Sequence, residues 1–173
     1  MSFWTFSLAV YGNAAVQREC LDLQDRHGIN VNLLLFCVFV GAVQGAVLSL
    51  ADVQQAESIV HRWDGEIVSR LRAARRALKS FSDDASSADF NSLYNNVKAQ
   101  ELEAEQLEQR MLECWSARHL SGWSRATPFV AAEKNIMALF EVSVEDVPPP
   151  AMPNNLISEA LQYAAKWQEG IHC

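Results

Sequence analysis

Apolar residues recur at helical spacing from one end of the chain to the other, and no run alternates with the period of two that marks a half-buried strand. Ser2 is placed to cap a helix over Phe3–Tyr11 that stops at Gly12. Asn13 is placed to cap the next, with Val16, Cys20 and Leu23 on one face and an end at His27-Gly28, where glycine accepts the left-handed conformation. Asn30 then caps a third helix, with Ile29 and Leu34 at hydrophobic-staple spacing. Gly28-Ile29-Asn30 therefore reads as a tight corner between two helices.

The third helix is the most apolar part of the chain. From Leu33 to Leu50 only Gln44 and Ser49 interrupt the apolar text, and no acid, lysine or arginine lies between Arg26 and Asp52. That length touches the lower limit for a membrane span. No basic flank fixes an orientation, however, and the other helices are amphipathic and need an apolar surface to cover. The reading is a buried central helix over about residues 31–50, with Gly41 and Gly45 letting a neighbour approach closely.

Asp52 is expected to open a fourth helix, with Gln55 at capping-box spacing. Its stripe is Val53, Ala56, Val60, Trp63, Ile67, Leu71, Ala74, Leu78 and Phe81. Residues 82–89 form a polar turn. A fifth helix follows with a heptad-like seam of Phe90, Leu93, Val97, Gln100, Ala104, Leu107, Met111 and Cys114. The two are expected to fold back as a long antiparallel hairpin, about 52–81 against 90–115. Thr127-Pro128 restarts a helix to about Glu141 that buries Val130, Ile136, Met137 and Phe140. A proline-rich connector, 142–153, leads to a last helix capped by Asn155, carrying Leu156, Ala160, Leu161, Ala164 and Trp167 and ended by Gly170. The expected fold class is all-α, a single-domain helical bundle.

With 173 residues, 50% hydrophobic and 20% charged, the chain can bury a core and is not a disordered polymer. Its 14 bases against 21 acids give a formal charge of −7, which argues against nucleic acid as a partner. Cys20, Cys37, Cys114 and Cys173 form no CxxC pair, and no base precedes Arg18, so the start does not read as a secretory signal. Reduced thiols in a bacterial-type cytoplasm are the expectation.

Two groups of residues carry candidate chemistry. Asp25, Arg26, His27, Asn30 and Asn32 surround the corner at which the first N–H groups of the third helix point, a place suited to a small anionic ligand. Asn32 is the odd member, because it enters an apolar helix and needs a hydrogen-bond partner if buried. The second group is the base-rich stretch Arg70, Arg72, Arg75, Arg76 and Lys79, opposite an acid-rich fifth helix. With Phe81 facing Phe90, Arg70 falls near Glu101 and Arg62 near Glu108, although Glu66 then falls near Glu105. Arg75, Arg76 and Lys79 meet no acid in that register, which makes them candidates for binding a protein partner with an acidic patch. Glu57, His61 and Asp64 share one helix side but lack the paired Glu-x-x-His of a di-iron site, so no metal is expected, and no cofactor motif is present.

The string Leu23 to Phe36 (LQDRHGINVNLLLF), the segment Trp4–Tyr11, Trp63 followed by Leu71–Lys79 (LRAARRALK) and the Glu-rich fifth helix together resemble an uncharacterised proteobacterial family, that of the DUF2390 domain. The resemblance covers roughly the first two thirds of the chain and implies a domain type without an activity. The functional expectation is a cytoplasmic interaction or adaptor protein that uses the basic helix face. The alternative is a small-molecule-binding or enzymatic helical domain at the Asp25–Asn32 corner, and after it a membrane-associated protein. A polar pocket joining Asn32 to titratable residues would favour the alternative; a corner flat in solvent beside an exposed apolar patch would favour the adaptor.

Overall fold

Local hydrogen bonding fixes the first three helices as the sequence requires. The Ser2 hydroxyl accepts from the Thr5 N–H, the Asn13 carbonyl oxygen from Ala15, and the Asn30 carbonyl oxygen from Leu33. Gly28 takes φ +69 and, with Ile29, returns its N–H to the end of the second helix, closing the corner. The computed structural model describes residues 1–81, 88–144 and 150–170. Its elements are α1 (Phe3–Tyr11), α2 (Ala14–His27), α3 (Val31–Ala42), β1 (Ala46–Val47), α4 (Leu50–Trp63), a π-helical turn (Asp64–Val68), α5 (Ser69–Ser80), α6 (Ala88–His119), a 3-10 turn (Leu120–Gly122), β2 (Ser124–Arg125), α7 (Pro128–Ser143) and α8 (Asn154–Gln168). The fold is all-α; the two strands are a minimal antiparallel pair, Ala46 opposite Arg125 and Val47 opposite Ser124.

α3 is the centre. Every residue from Asn32 to Ala42 is buried, with α7 along one side and α1, α2, α4, α6 and α8 around the rest. Phe3 and Phe6 of α1 pack onto Phe36 and Phe39 with ring centroids 5.2–5.6 Å apart. Glutamates from elsewhere cap two helices. Glu113 accepts from the Phe3 N–H at 2.9 Å, and Glu19 accepts from the Asn155 and Leu156 N–H groups that open α8. Among the described residues no helix is long and apolar enough to cross a membrane.

α3 stops at Ala42, not near residue 50. Gly45 takes φ +61 and the chain turns into β1. The backbone groups freed by that turn are met from α7: the buried Asn135 amide donates to the Cys37 and Ala46 carbonyls at 3.0 Å and accepts from the Leu48 N–H at 2.8 Å. The next helix starts at Leu50, three residues after the turn, through a capping box of Ser49 and Asp52, so Asp52 is the third helical residue and not the opening one. In α7 the buried side is Ala131, Ala132, Asn135, Ile136, Leu139 and Phe140, whereas Val130 and Met137 are exposed. The α8 cap is Pro153, with Asn155 already inside the helix. The expected turn at 82–89 and the connector at 142–153 lie partly outside the described residues; α6 is already helical at Ala88.

The hairpin of α4, the π turn and α5 against α6 forms, but its faces differ from the periodic reading. The π turn inserts one residue into the helical phase, with Ser69 N–H returning to the Asp64 carbonyl. Val68 is therefore buried where Ile67 was expected, and after it Arg72 and Arg75 are half-buried beside Leu71 and Leu78, while Ala74 is exposed. On α6 the buried side is Glu101, Ala104, Glu108, Gln109 and Leu112, while Leu93, Leu107 and Cys114 face solvent.

Gly41 is where α3 meets α7. A Cβ there would lie 2.4 Å from the Ala132 backbone N and Cα, so backbone and not a pliable side chain would have to move. Gly41→Ala is expected to lose about 1–3 kcal/mol to overpacking, despite alanine's better helix propensity. Urea unfolding checks this; an unchanged midpoint would contradict the close approach.

Candidate functional site

The polar centre of the molecule is a short chain of side chains at the N-terminus of α3. The Glu108 carboxyl, wholly buried, accepts from Asn30 Nδ2 at 2.8 Å and from Asn32 Nδ2 at 2.7 Å. Asn32 Oδ1 in turn accepts from Gln109 Nε2 at 2.8 Å. Asn32 thus finds the partner that its place in an apolar helix demands. Burial pushes Glu108 up to about 7, with the Asp64 and Glu105 charges adding to it, and the two asparagine bonds only partly oppose them.

Beside this chain stands an ionic cluster built across the hairpin. Arg72 reaches Glu105 at 2.8 Å and Glu101 at 3.3 Å, and Arg75 holds Glu101 through two guanidinium nitrogens. Burial raises the Glu105 pKa and outweighs the opposing pull of Arg72. Burial also works against the Arg72 charge, but the Glu105 bond and the Asp64 and Glu101 charges outweigh it, so the guanidinium is held charged. Trp63 Nε1 donates to the Ala104 carbonyl at 3.0 Å and ties the two arms together just below.

Between this hairpin and the core lies a cavity of about 540 Å³. Trp4, Ser7, Leu8 and Tyr11 of α1 and Gln17, Leu21 and Gln24 of α2 form one side. Asn30, Val31, Asn32 and Leu35 line it from α3, and Arg72, Arg75 and Arg76 from α5. Asp64 of the π turn joins them, and Lys98, Glu101, Leu102, Glu105 and Gln109 complete it from α6. A second hollow of about 510 Å³, lined by Asp25, Gly28, Ile29, Ser69 and Ala73, adjoins it and shares Gln24, Asn30, Asp64, Arg72 and Arg76 with it.

The structure therefore brings the two groups of sequence candidates partly together. Asn30, Asn32, Arg75 and Arg76 line the larger cavity, and Asp25 joins Asn30 and Arg76 in the smaller. Arg26 pairs with Asp22 on the surface of α2, and Arg26, His27 and Lys79 line neither hollow. The register reading is corrected. Glu101 pairs with Arg72 and Arg75 rather than Arg70, and Arg62 pairs with Glu66 one turn on, in the π turn, rather than with Glu108. Arg75 accordingly has an acid opposite it. Glu57 accepts from the Ser143 hydroxyl, and among the described residues no three His, Cys, Asp or Glu side chains are placed to hold a metal ion.

The periodic reading passed over Ser7 and Gln109, and it placed Arg72, Glu101, Glu105 and Glu108 in the charge pattern of the hairpin rather than at a site. A heptad count weights leucine over glutamate, and so turned Glu108 outward. The one available signal for the phase change was Gly65, a weak helix former inside the fourth helix.

Glu108 makes stability depend on pH in a definite direction. Its folded pKa, about 7, lies above its ordinary value of 4.5, so the folded state holds the proton between those two points. Stability should fall as pH rises through that window, by on the order of 3 kcal/mol from this group. Urea unfolding at pH 5 and pH 8 is expected to show that loss in the native protein and a markedly smaller one in Glu108→Gln. Parallel pH profiles for the two would contradict the assignment.

Neither a curated protein nor a solved structure matches the chain. A family model, DUF2390, described as a protein of unknown function, matches residues 2–112. That span runs from α1 into α6 and contains every residue lining the two hollows. With well over half of its length matched, the chain belongs to the DUF2390 family.

Proposed function

We propose that this protein binds a small amphipathic organic anion in the cavity between its helical core and the α5–α6 hairpin. The observation that carries the reading is the cavity itself, which joins the buried Asn32–Gln109 floor to a charged wall. Its volume falls within the usual range for small-ligand sites. Four bases, Arg72, Arg75, Arg76 and Lys98, line it against three acids, Asp64, Glu101 and Glu105, in a chain whose formal charge is −7. Arg72 and Arg75 are occupied by the glutamates; Arg76 and Lys98 are exposed and make no ion pair among the described residues. Those two receive the anionic group.

The apolar part of the ligand follows from the leucines. Leu8, Leu21 and Leu102 leave 53%, 40% and 49% of their surface exposed, and all three line this cavity. Apolar side chains gathered around a hollow with a few convergent polar groups suit an apolar body. This reading takes the protein to be cytoplasmic, in keeping with the buried thiols of Cys20 and Cys37, which burial raises to about 12 and leaves unreactive. The adaptor reading is the less supported of the two, because it needed Arg75 unneutralised.

Decanoate and 3-phenylpropionate serve as probes. Their titration into ¹⁵N-labelled protein is expected to shift amides of α1, of the start of α3 and of residues 98–109 of α6. Arg76→Ala with Lys98→Ala is expected to weaken binding roughly tenfold, the worth of about one charge-assisted hydrogen bond, without lowering the melting temperature. Shifts confined to other faces, or none at millimolar probe, would contradict the proposal.

A further inference from the structure

We infer that the ligand carries a hydrogen-bond donor, a hydroxyl or an amino group, at the end remote from its anionic group, and that Gln109 Oε1 and Ser7 Oγ receive it at the cavity floor. The inference rests on the cavity being a ligand site, as proposed above. Ser7 and Gln109 keep only 2% and 4% of their surface exposed, and both line the cavity. Neither Ser7 Oγ nor Gln109 Oε1 has a hydrogen-bond partner among the described residues. Polar atoms that deep are normally satisfied, and two unmet ones on facing helices, α1 and α6, mark where a ligand atom belongs.

The polarity of that floor is dictated from a distance. Asn30 Oδ1 is committed to the Leu33 N–H, so its amide nitrogen must donate, and it donates to Glu108. The Glu108 carboxylate, an acceptor only, also takes the Asn32 amide nitrogen. Asn32 Oδ1 is thereby turned to Gln109 and takes its Nε2. Gln109 is left presenting its carbonyl oxygen. While Glu108 is ionised, the helix cap of α3 thus sets an acceptor at the floor, beside a hydroxyl that rotates to suit.

The two ends are well separated. Lys98 and Gln109 stand 11 residues apart on α6, roughly 16 Å along the helix axis. Leu102 lies between them, with Leu8 and Leu35 on the other walls. An elongated organic acid with a terminal hydroxyl or amino group meets all three regions.

The test is calorimetric, at pH 8, with the full chain and two matched probes, 10-hydroxydecanoate and decanoate. The native protein is expected to prefer the hydroxylated probe by at least fivefold. Ser7→Ala, which removes no bond within the protein, is expected to keep the native melting temperature and to narrow the preference. Gln109→Leu is expected to abolish it, although it also deprives Asn32 of a donor; Ser7→Ala keeps the test decisive if that variant does not fold. Equal binding of both probes by the native protein, or a preference that Ser7→Ala leaves intact, would overturn this inference and leave the cavity reading standing. Absence of binding by either probe at millimolar concentration would overturn both.

Discussion

A wholly buried carboxyl at Glu108 has to be met by donors, and the N-terminus of α3 supplies them. An unmet carboxylate in that position would cost several kcal/mol, so the two asparagines and the glutamate constrain one another. Asn30 caps α3 with one end of its amide and holds Glu108 with the other. Asn32 does the same between Glu108 and Gln109. The register of α6 against α3 is thereby set by polar bonds at one level, with apolar packing of Leu112 below. From that point α6 runs out beyond the core, and the cavity is the space left between the core and the departing hairpin.

The π turn completes the arrangement. Without its extra residue, Ile67 and Ala74 would continue the stripe of Val53, Ala56 and Val60, and Arg72 and Arg75 would turn away from α6. With it, both guanidinium groups face Glu101 and Glu105. Neither wall could be charged alone without leaving ions half-desolvated, and each neutralises the other. The outcome is a cleft whose inner wall is charged but locally balanced, and whose surplus bases, Arg76 and Lys98, stand exposed along it.

The legible parts of the sequence were those governed by short-range chemistry. Ser2, Asn13, Asn30 and Gly28 act on groups within a few residues of themselves, and each does what its position implied. The end of α3 was not legible, because the amide that receives the chain there is Asn135, on α7 and some ninety residues on. Gly41 was legible as a contact, but Gly45 serves a turn and not a second contact of the same helix. Asn32 announced that it needed a partner; which helix would provide it depended on a phase that heptad counting placed wrongly. Buried glutamates are the recurrent blind spot, since periodicity assigns charged residues to solvent.

The proposed site depends most directly on Glu108 being a buried carboxyl held by two asparagines. A carboxyl-carbon NMR titration of protein labelled with ¹³C-glutamate, with Glu108 assigned by its absence from Glu108→Gln, measures this at the atom concerned. Glu108 is expected to titrate near 7. Titration of Glu108 at or below its ordinary value of 4.5 would contradict a burial that outweighs the two asparagine bonds, and with it the enclosed polar centre beneath the proposed site.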